Sequence, residues 1–257
     1  MDEVISADST AIAYDTFGAG PALVLVAGAM TDRSYYVPRA TVLAEVFTVV
    51  TYDRRGRGDS GDQPQYAVER EVEDLEAVRM ATGATYGYAD SSGAMVLLRA
   101  AAAGSAFDRL AIMEPPFRVD GAPAAPDRYL ERLQEFVAAG DPSGAAELFM
   151  VEAVGQPQEQ VDGMKSMPFW KGMEAVAPTL VYDALQLGDS QVPTALLAGI
   201  EQPTLALHST ASPEWLQRAT VEAADALPNA RVAALEGSFH EVPPEVLLTA
   251  LREHFLG

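Results

Sequence analysis

The stretch Thr85-Tyr86-Gly87-Tyr88-Ala89-Asp90-Ser91-Ser92-Gly93-Ala94 decides how this chain is organised. It opens as a β-rich run at Thr85–Ala89, meets a turn of the form small-x-Ser-x-Gly, and passes at once into an alanine-rich segment predicted to be helical from Ser92 to Ala103. A serine in that setting has the pattern of a nucleophile elbow, in which a sharp strand-to-helix turn lifts the hydroxyl above the sheet edge. Residues two before and two after the serine must be small, because side chains there collide with neighbouring backbone. Ala89 and Gly93 hold those places around Ser91. Asp90 is the rival nucleophile, but in its register the flanking positions are Tyr88 and Ser92, and a tyrosine there would crowd the turn. Ser91 is the candidate.

Working outward, the chain alternates short apolar runs with helix-period segments, the rhythm of an α/β protein with a largely parallel sheet. Leu23–Ala27 and Thr48–Tyr52 read as strands buried on both faces. Val68, Val72, Leu75 and Val78 put one apolar stripe on a helix from about Glu69 to Ala81, and Leu110–Met113 is the next strand. Val4-Ile5 and Ala11–Thr16 look like a hairpin of antiparallel edge strands. After Glu114-Pro115-Pro116 the rhythm stops, and Phe117 to Gly199 holds helical patterns without a convincing strand. It resumes with strands at Thr204–Leu207 and Arg231–Leu235 and helices at Pro213–Leu227 and Pro244–Phe255. The expected division is a core of residues 1–116 and 200–257 with a helical insertion at 117–199, entered through a linker at Ala122–Pro126.

With these pieces in place the chain resembles the α/β-hydrolase superfamily over nearly its whole length. The resemblance rests on the elbow, on Val26-Ala27-Gly28-Ala29 after the third strand, on Asp53-Arg54-Arg55-Gly56-Arg57-Gly58-Asp59-Ser60 after the fourth, and on Gly237-Ser238-Phe239-His240 after the last. It implies an eight-stranded, mostly parallel sheet flanked by helices, the insertion forming a cap, and His240 as general base. The loop after Thr204–Leu207, where the family usually keeps its acid, reads His208-Ser209-Thr210-Ala211-Ser212-Pro213-Glu214, and Ser212 stands in the aspartate's slot. A serine cannot hold an imidazolium as a carboxylate does. Some relatives carry the acid after the strand that follows the elbow, which here nominates Glu114, with Glu214 in reserve. The order Ser, Glu, His is the one this fold uses. The resemblance also assigns the oxyanion-hole donors to the backbone amides of Ala29 and Ser92, which tolerate any side chain.

Other features have plainer readings. His208 is structural, and His254 near a helix carboxyl end is explained by the helix dipole. Arg54, Arg55 and Arg57 alternate with Asp53 and Asp59 and are expected to knit their turn together. Gly18-Ala19-Gly20 precedes a strand and does not link strand to helix, so it is no dinucleotide loop. Phe149, Met150, Met164, Met167, Phe169, Trp170 and Met173 are expected mainly to build the cap's own core, with one or two facing an apolar pocket.

Composition narrows the class of function. The 257 residues carry 17 Lys+Arg against 37 Asp+Glu, a net charge of −20, which repels nucleic acid and anionic membrane surfaces. Absent cysteine excludes a thiol nucleophile and thiolate metal sites, and three histidines make a histidine-rich metal centre implausible, so neither metal nor cofactor is expected. No apolar run approaches the roughly 20 residues of a membrane span. The acidic start Met1-Asp2-Glu3 differs from the basic start of a signal peptide, and the expected location is cytoplasmic. The expected partner is a small-molecule substrate, with a homodimer left open. The leading expectation is a cofactor-free serine hydrolase acting on an ester or lactone of a small, apolar, uncharged molecule. The alternatives are C–C bond hydrolysis or another cofactor-free reaction on the same scaffold, and a ligand-binding member without turnover.

Overall fold

Each apolar run becomes a strand in the computed structural model, which describes residues 1–257. The chain proceeds through β1 (Asp2–Ile5), β2 (Ala11–Phe17), β3 (Ala22–Val26), α1 (Val37–Leu43), β4 (Thr48–Tyr52), α2 (Val68–Thr82), β5 (Tyr86–Asp90), α3 (Gly93–Ala102) and β6 (Arg109–Met113). Six helices follow without a strand: α4 (Tyr129–Ala139), α5 (Pro142–Leu148), α6 (Gln158–Lys165), α7 (Trp170–Val176), α8 (Leu180–Leu187) and α9 (Thr194–Leu197). The chain closes with β7 (Thr204–Ser209), α10 (Glu214–Ala226), β8 (Ala230–Leu235) and α11 (Pro244–Leu256).

The strands form one eight-stranded sheet in the order β1-β2-β4-β3-β5-β6-β7-β8. Only β2 opposes its neighbours. It pairs antiparallel with both β1 and β4, so the expected hairpin is present at the sheet edge and its outer strand, β1, runs with the body of the sheet. Side chains alternate across the pleat. Val24 and Val26 face a core shared with α2, α3 and α10, while Leu23 and Leu25 face one shared with α1 and α11. Burial on both faces is why these strands read as continuous apolar runs.

The helices between β6 and β7 have an apolar core of their own around Leu133, Leu148, Val161, Trp170 and Leu180. An isolated bridge between Arg118 and Gln191 joins the two ends of this segment. No helix is long and apolar enough to cross a membrane.

One polar expectation is corrected and a second extended. The arginines after β4 do not pair with their own turn. Asp53 and Asp59 are instead bound by Arg33, whereas Arg54 forks onto Glu71, Arg55 onto Asp74, and both Arg54 and Arg57 reach Asp183 on α8. These three guanidiniums are buried, and a buried cation requires a carboxylate aimed at its fork, which sequence neighbours in a tight turn do not supply. His254 does sit in the last turn of α11, but its ring is engaged by a strand carbonyl and not by the helix end alone. It is 5% exposed, with Nε2 2.8 Å from the Leu110 carbonyl, and burial first of all lowers its pKa.

The Arg55–Asp74 pair provides a test of the core's polar half. Both side chains are buried, and Nε and Nη2 of Arg55 each lie 2.7 Å from a different oxygen of Asp74. Arg55→Met should destabilise the fold by about 3–5 kcal/mol in urea unfolding, because it strands a buried carboxylate. The double variant with Asp74→Leu should recover much of that loss; no recovery would mean that packing, not charge, sets the cost.

Candidate active site

Strand register brings the candidate residues to one edge. Asp90 pairs with Met113 across β5 and β6, and Met113 with Leu207 across β6 and β7, so Ser91 and Glu114 leave the sheet side by side. The Ser91 amide donates to the Met113 carbonyl at 2.9 Å, and the Glu114 amide to the Leu207 carbonyl at 2.9 Å. Both residues then turn left-handed, with φ of 51° at Ser91 and 46° at Glu114. Such conformations cost a non-glycine residue about 1–3 kcal/mol and cluster at functional sites.

The small residues around Ser91 have the reasons expected of them. A Cβ on Gly93 would lie 2.5 Å from the Val26 carbonyl oxygen and 2.6 Å from that of Ala27. One on Gly28 would come within 2.9 Å of the Ser91 Cβ. β3 can therefore pass close beneath the elbow only because both positions lack side chains. Asp90 is held elsewhere: it is 3% exposed, accepts from the Tyr36 hydroxyl, and meets Arg39 Nη1 at 2.8 Å.

His240 reaches the same edge through the loop after β8. Ser238 and Glu241 close a tight turn, and its central residues Phe239 and His240 both have positive φ, 48° and 67°. Turns of this hand usually take glycine or asparagine, so neighbours must hold it. Oε2 of Glu114 accepts from the His240 amide at 2.8 Å, and the Phe239 amide donates to the Ser212 hydroxyl at 2.7 Å. Arg39 Nη2 adds a bond to the His240 carbonyl at 3.2 Å.

Glu114 is fully buried, and its Oε2 lies 2.8 Å from His240 Nδ1. That contact is at ion-pair distance but off the line of a good hydrogen bond. Its other oxygen accepts from the Ser209 amide at 2.6 Å. Burial pushes the carboxyl pKa up, yet the close His240 ring and hydrogen bonds from Ser212 and the Ser209 amide outweigh it and bring the value from the ordinary 4.5 down to about 2. Ser212, in the slot where an aspartate was awaited, thus supports a carboxylate arriving from the next strand. Glu214 lies exposed at the start of α10, outside the cavity.

Ser91 and His240 line one cavity of about 540 Å³, with Ala29 and Ser92 beside them. The Ala29 and Ser92 amides donate to no acceptor within the protein, which leaves two N–H groups near Ser91. No hydrogen bond joins the Ser91 hydroxyl to the His240 imidazole; the two side chains share the wall of the cavity. The helical segment supplies most of the wall. Phe149 faces the cavity, while Trp170 is buried in the segment's core and Met167 and Phe169 are exposed. Ala122–Pro126 is more than a linker, since all five residues line the cavity. Trp215 and Asp183 also line it and have no reading from the sequence, and Phe239, quoted there only as part of the His240 motif, lines it too. For Asp183 a signal existed: it lies on the same stripe as Leu180, Ala184 and Leu187, an acid where an apolar residue belongs.

Comparison with known proteins agrees with this architecture. A family model described as the alpha/beta hydrolase family matches residues 23–247. An alpha/beta hydrolase from Sphaerobacter thermophilus DSM 20745 is 47% identical, with a TM-score of 0.93 over 99% of this chain and 100% of that one. A thermophilic esterase from Thermogutta terrifontis shares the fold at 21% identity and a TM-score of 0.75, over 99% of this chain and 97% of its own. An uncharacterized hydrolase of Bacillus subtilis (strain 168), YraK, is 36% identical over 90 residues, and the match spans only 33% of each protein.

The depressed Glu114 pKa has a consequence for stability. A carboxyl whose folded pKa lies below its unfolded value stabilises the fold fully above about 4.5, and that contribution is lost as pH falls toward about 2. Glu114→Gln should therefore flatten the fall of unfolding free energy between pH 4.5 and 2 relative to wild type. Acid limbs of equal slope in chemical denaturation would show that Glu114 is not held as a carboxylate by these bonds.

Proposed function

The chain belongs to the alpha/beta hydrolase family, and on that footing we propose that it is a cofactor-free serine hydrolase acting on an ester or lactone of a small, apolar, uncharged molecule. The observation that carries this proposal is the buried Glu114 held against His240, on a sheet edge where Ser91 and two undonated amides share one cavity.

In this mechanism the Ser91 Oγ attacks the acyl carbon as its proton passes to Nε2 of His240. The carbonyl oxygen takes up the negative charge and is held by the amides of Ala29 and Ser92. Glu114 stabilises the imidazolium through Nδ1. Collapse breaks the bond to the leaving oxygen, which receives the proton from His240 and departs as alcohol; in a lactone it remains tethered. Water then repeats the sequence on the acyl-enzyme and regenerates Ser91. The mostly apolar wall and the net charge support a neutral substrate. Glu131, Asp189 and the Arg132-paired Glu152 line the cavity against one arginine, Arg118, and the fourth acid there, Asp183, is neutralised by Arg54 and Arg57.

Ser91→Ala should fold normally and lose hydrolysis of short p-nitrophenyl esters by several orders of magnitude. A fluorophosphonate should label wild type at Ser91, and a folded protein that refuses the label would favour a binding role. Glu114→Gln should cut kcat by about 10⁴-fold, as when a triad acid is amidated, and Glu214→Gln should be nearly silent. The reverse ranking would return the acid to the loop after β7, and silence in both would leave a Ser-His dyad.

Substrate charge is a separate test. Neutral esters should outcompete dicarboxylate monoesters at low salt, because the acidic wall raises the cost of bringing in a carboxylate. A clear preference for the dicarboxylate monoester would instead make Arg118 the specificity residue.

A further inference from the structure

A single carboxylate from the helical segment lies beneath the elbow. Asp183, on α8, is 4% exposed and engaged on both oxygens. Oδ1 accepts from the Ser92 hydroxyl at 2.7 Å and from Arg54 Nη1 at 2.7 Å, and Oδ2 accepts from Arg57 Nη2 at 2.7 Å. Burial alone would raise its pKa, but Arg54, Arg57 and the Ser92 hydroxyl outweigh that and hold Asp183 as a carboxylate at the border of the cavity.

The two arginines carry this anchorage onward. Arg57 Nη1 donates to the carbonyls of Gly28 at 2.5 Å and Thr31 at 3.3 Å, and Arg54 Nη1 to that of Ala27 at 3.2 Å. These carbonyls bracket Ala29, whose amide is one proposed oxyanion donor. The other donor is the amide of Ser92, whose hydroxyl Asp183 holds directly. Charge is balanced within the cluster: Arg54 also binds Glu71 at 2.5 and 2.8 Å, whereas Asp183 is the only carboxylate that Arg57 meets.

We propose that Asp183 is a positioning residue for the oxyanion hole, tying both of its backbone donors to the helical segment. This rests on the serine-hydrolase reading above. Preorganised donors act only when fixed at the place where charge develops, and misplacement by about 1 Å can cost 10²-fold in rate. The seating of α8 and the shape of the hole are accordingly one coupled arrangement. Loss of Asp183 leaves Arg57 uncompensated against the Gly28 carbonyl and frees the Ser92 side chain. Its effect should fall on the step in which the oxyanion forms, while affinity for the ground state is kept.

The test is saturation kinetics of fluorophosphonate labelling, which separates the limiting rate of bond formation from half-saturating concentration. Asp183→Asn should lower the limiting rate about 10²-fold, as removal of an oxyanion donor does, with half-saturation within about twofold. Because that variant breaks a buried charge cluster, Ser92→Ala serves as the second arm. It keeps all four charges and the Ser92 amide, and should lower the limiting rate about tenfold through one lost bond to a charged group. A wild-type limiting rate in folded Asp183→Asn, or in Ser92→Ala where the former does not fold, overturns the proposal. So does an effect confined to half-saturation, which would make Asp183 a wall of the pocket. Absence of labelling in wild type would instead sink the serine-hydrolase reading itself. Labelled wild type with unaltered variants sinks only the role of Asp183.

Discussion

The parallel register of β5, β6 and β7 is the constraint from which the candidate site follows. Once Asp90, Met113 and Leu207 lie abreast, the next residue of β5 is Ser91 and the next of β6 is Glu114. Each leaves the sheet in a left-handed turn, held by an amide bond to the carbonyl of the neighbouring strand. His240 then has to cross β7 to reach Glu114, and it does so in a turn that would not be chosen by a phenylalanine and a histidine in isolation. Three residues in a sparsely populated conformation meet at one edge, and their strain is borne by the rigid sheet beneath them.

The interior solves a second problem, the burial of charge in a strongly acidic protein. Arg39 with Asp90, and Arg54 and Arg57 with Glu71 and Asp183, form compact neutral groups, while Arg55 joins buried Asp74 to the half-buried Asp8. Buried pairs of this kind add little net stability over apolar packing, but they are costly to break and so specify one arrangement. Two of the groups touch the machinery: Arg39 links the residue before Ser91 to the carbonyl of His240, and the Asp183 group grips the loop before and after Ala29. The excess negative charge stays on the surface, where it is solvated.

What the sequence by itself determined is local. Ala89, Ser91 and Gly93 announce the elbow because the collisions they avoid lie within a few residues or against the adjacent strand. The apolar runs announce doubly buried strands because each side chain has a core on its side of the pleat. Glu114, just past the end of β6, and His240, in the loop after β8, were nominated by the resemblance to the α/β-hydrolase superfamily, which says where along the chain the acid and the histidine fall.

What only the tertiary structure decided is which distant groups pair. Arg54, Arg55 and Arg57 were matched to their own turn, whereas burial directs them to acids on α2, to Asp8 and to α8. Ala122–Pro126 has the composition of a linker, and only its path over the sheet edge makes it a cavity wall. The acidic Asp183 broke the apolar stripe of α8, but no pattern along the chain names its partners 91, 126 and 129 residues away. Charge pairing at such separations is set by three-dimensional proximity and desolvation, and neither is written in local spacing.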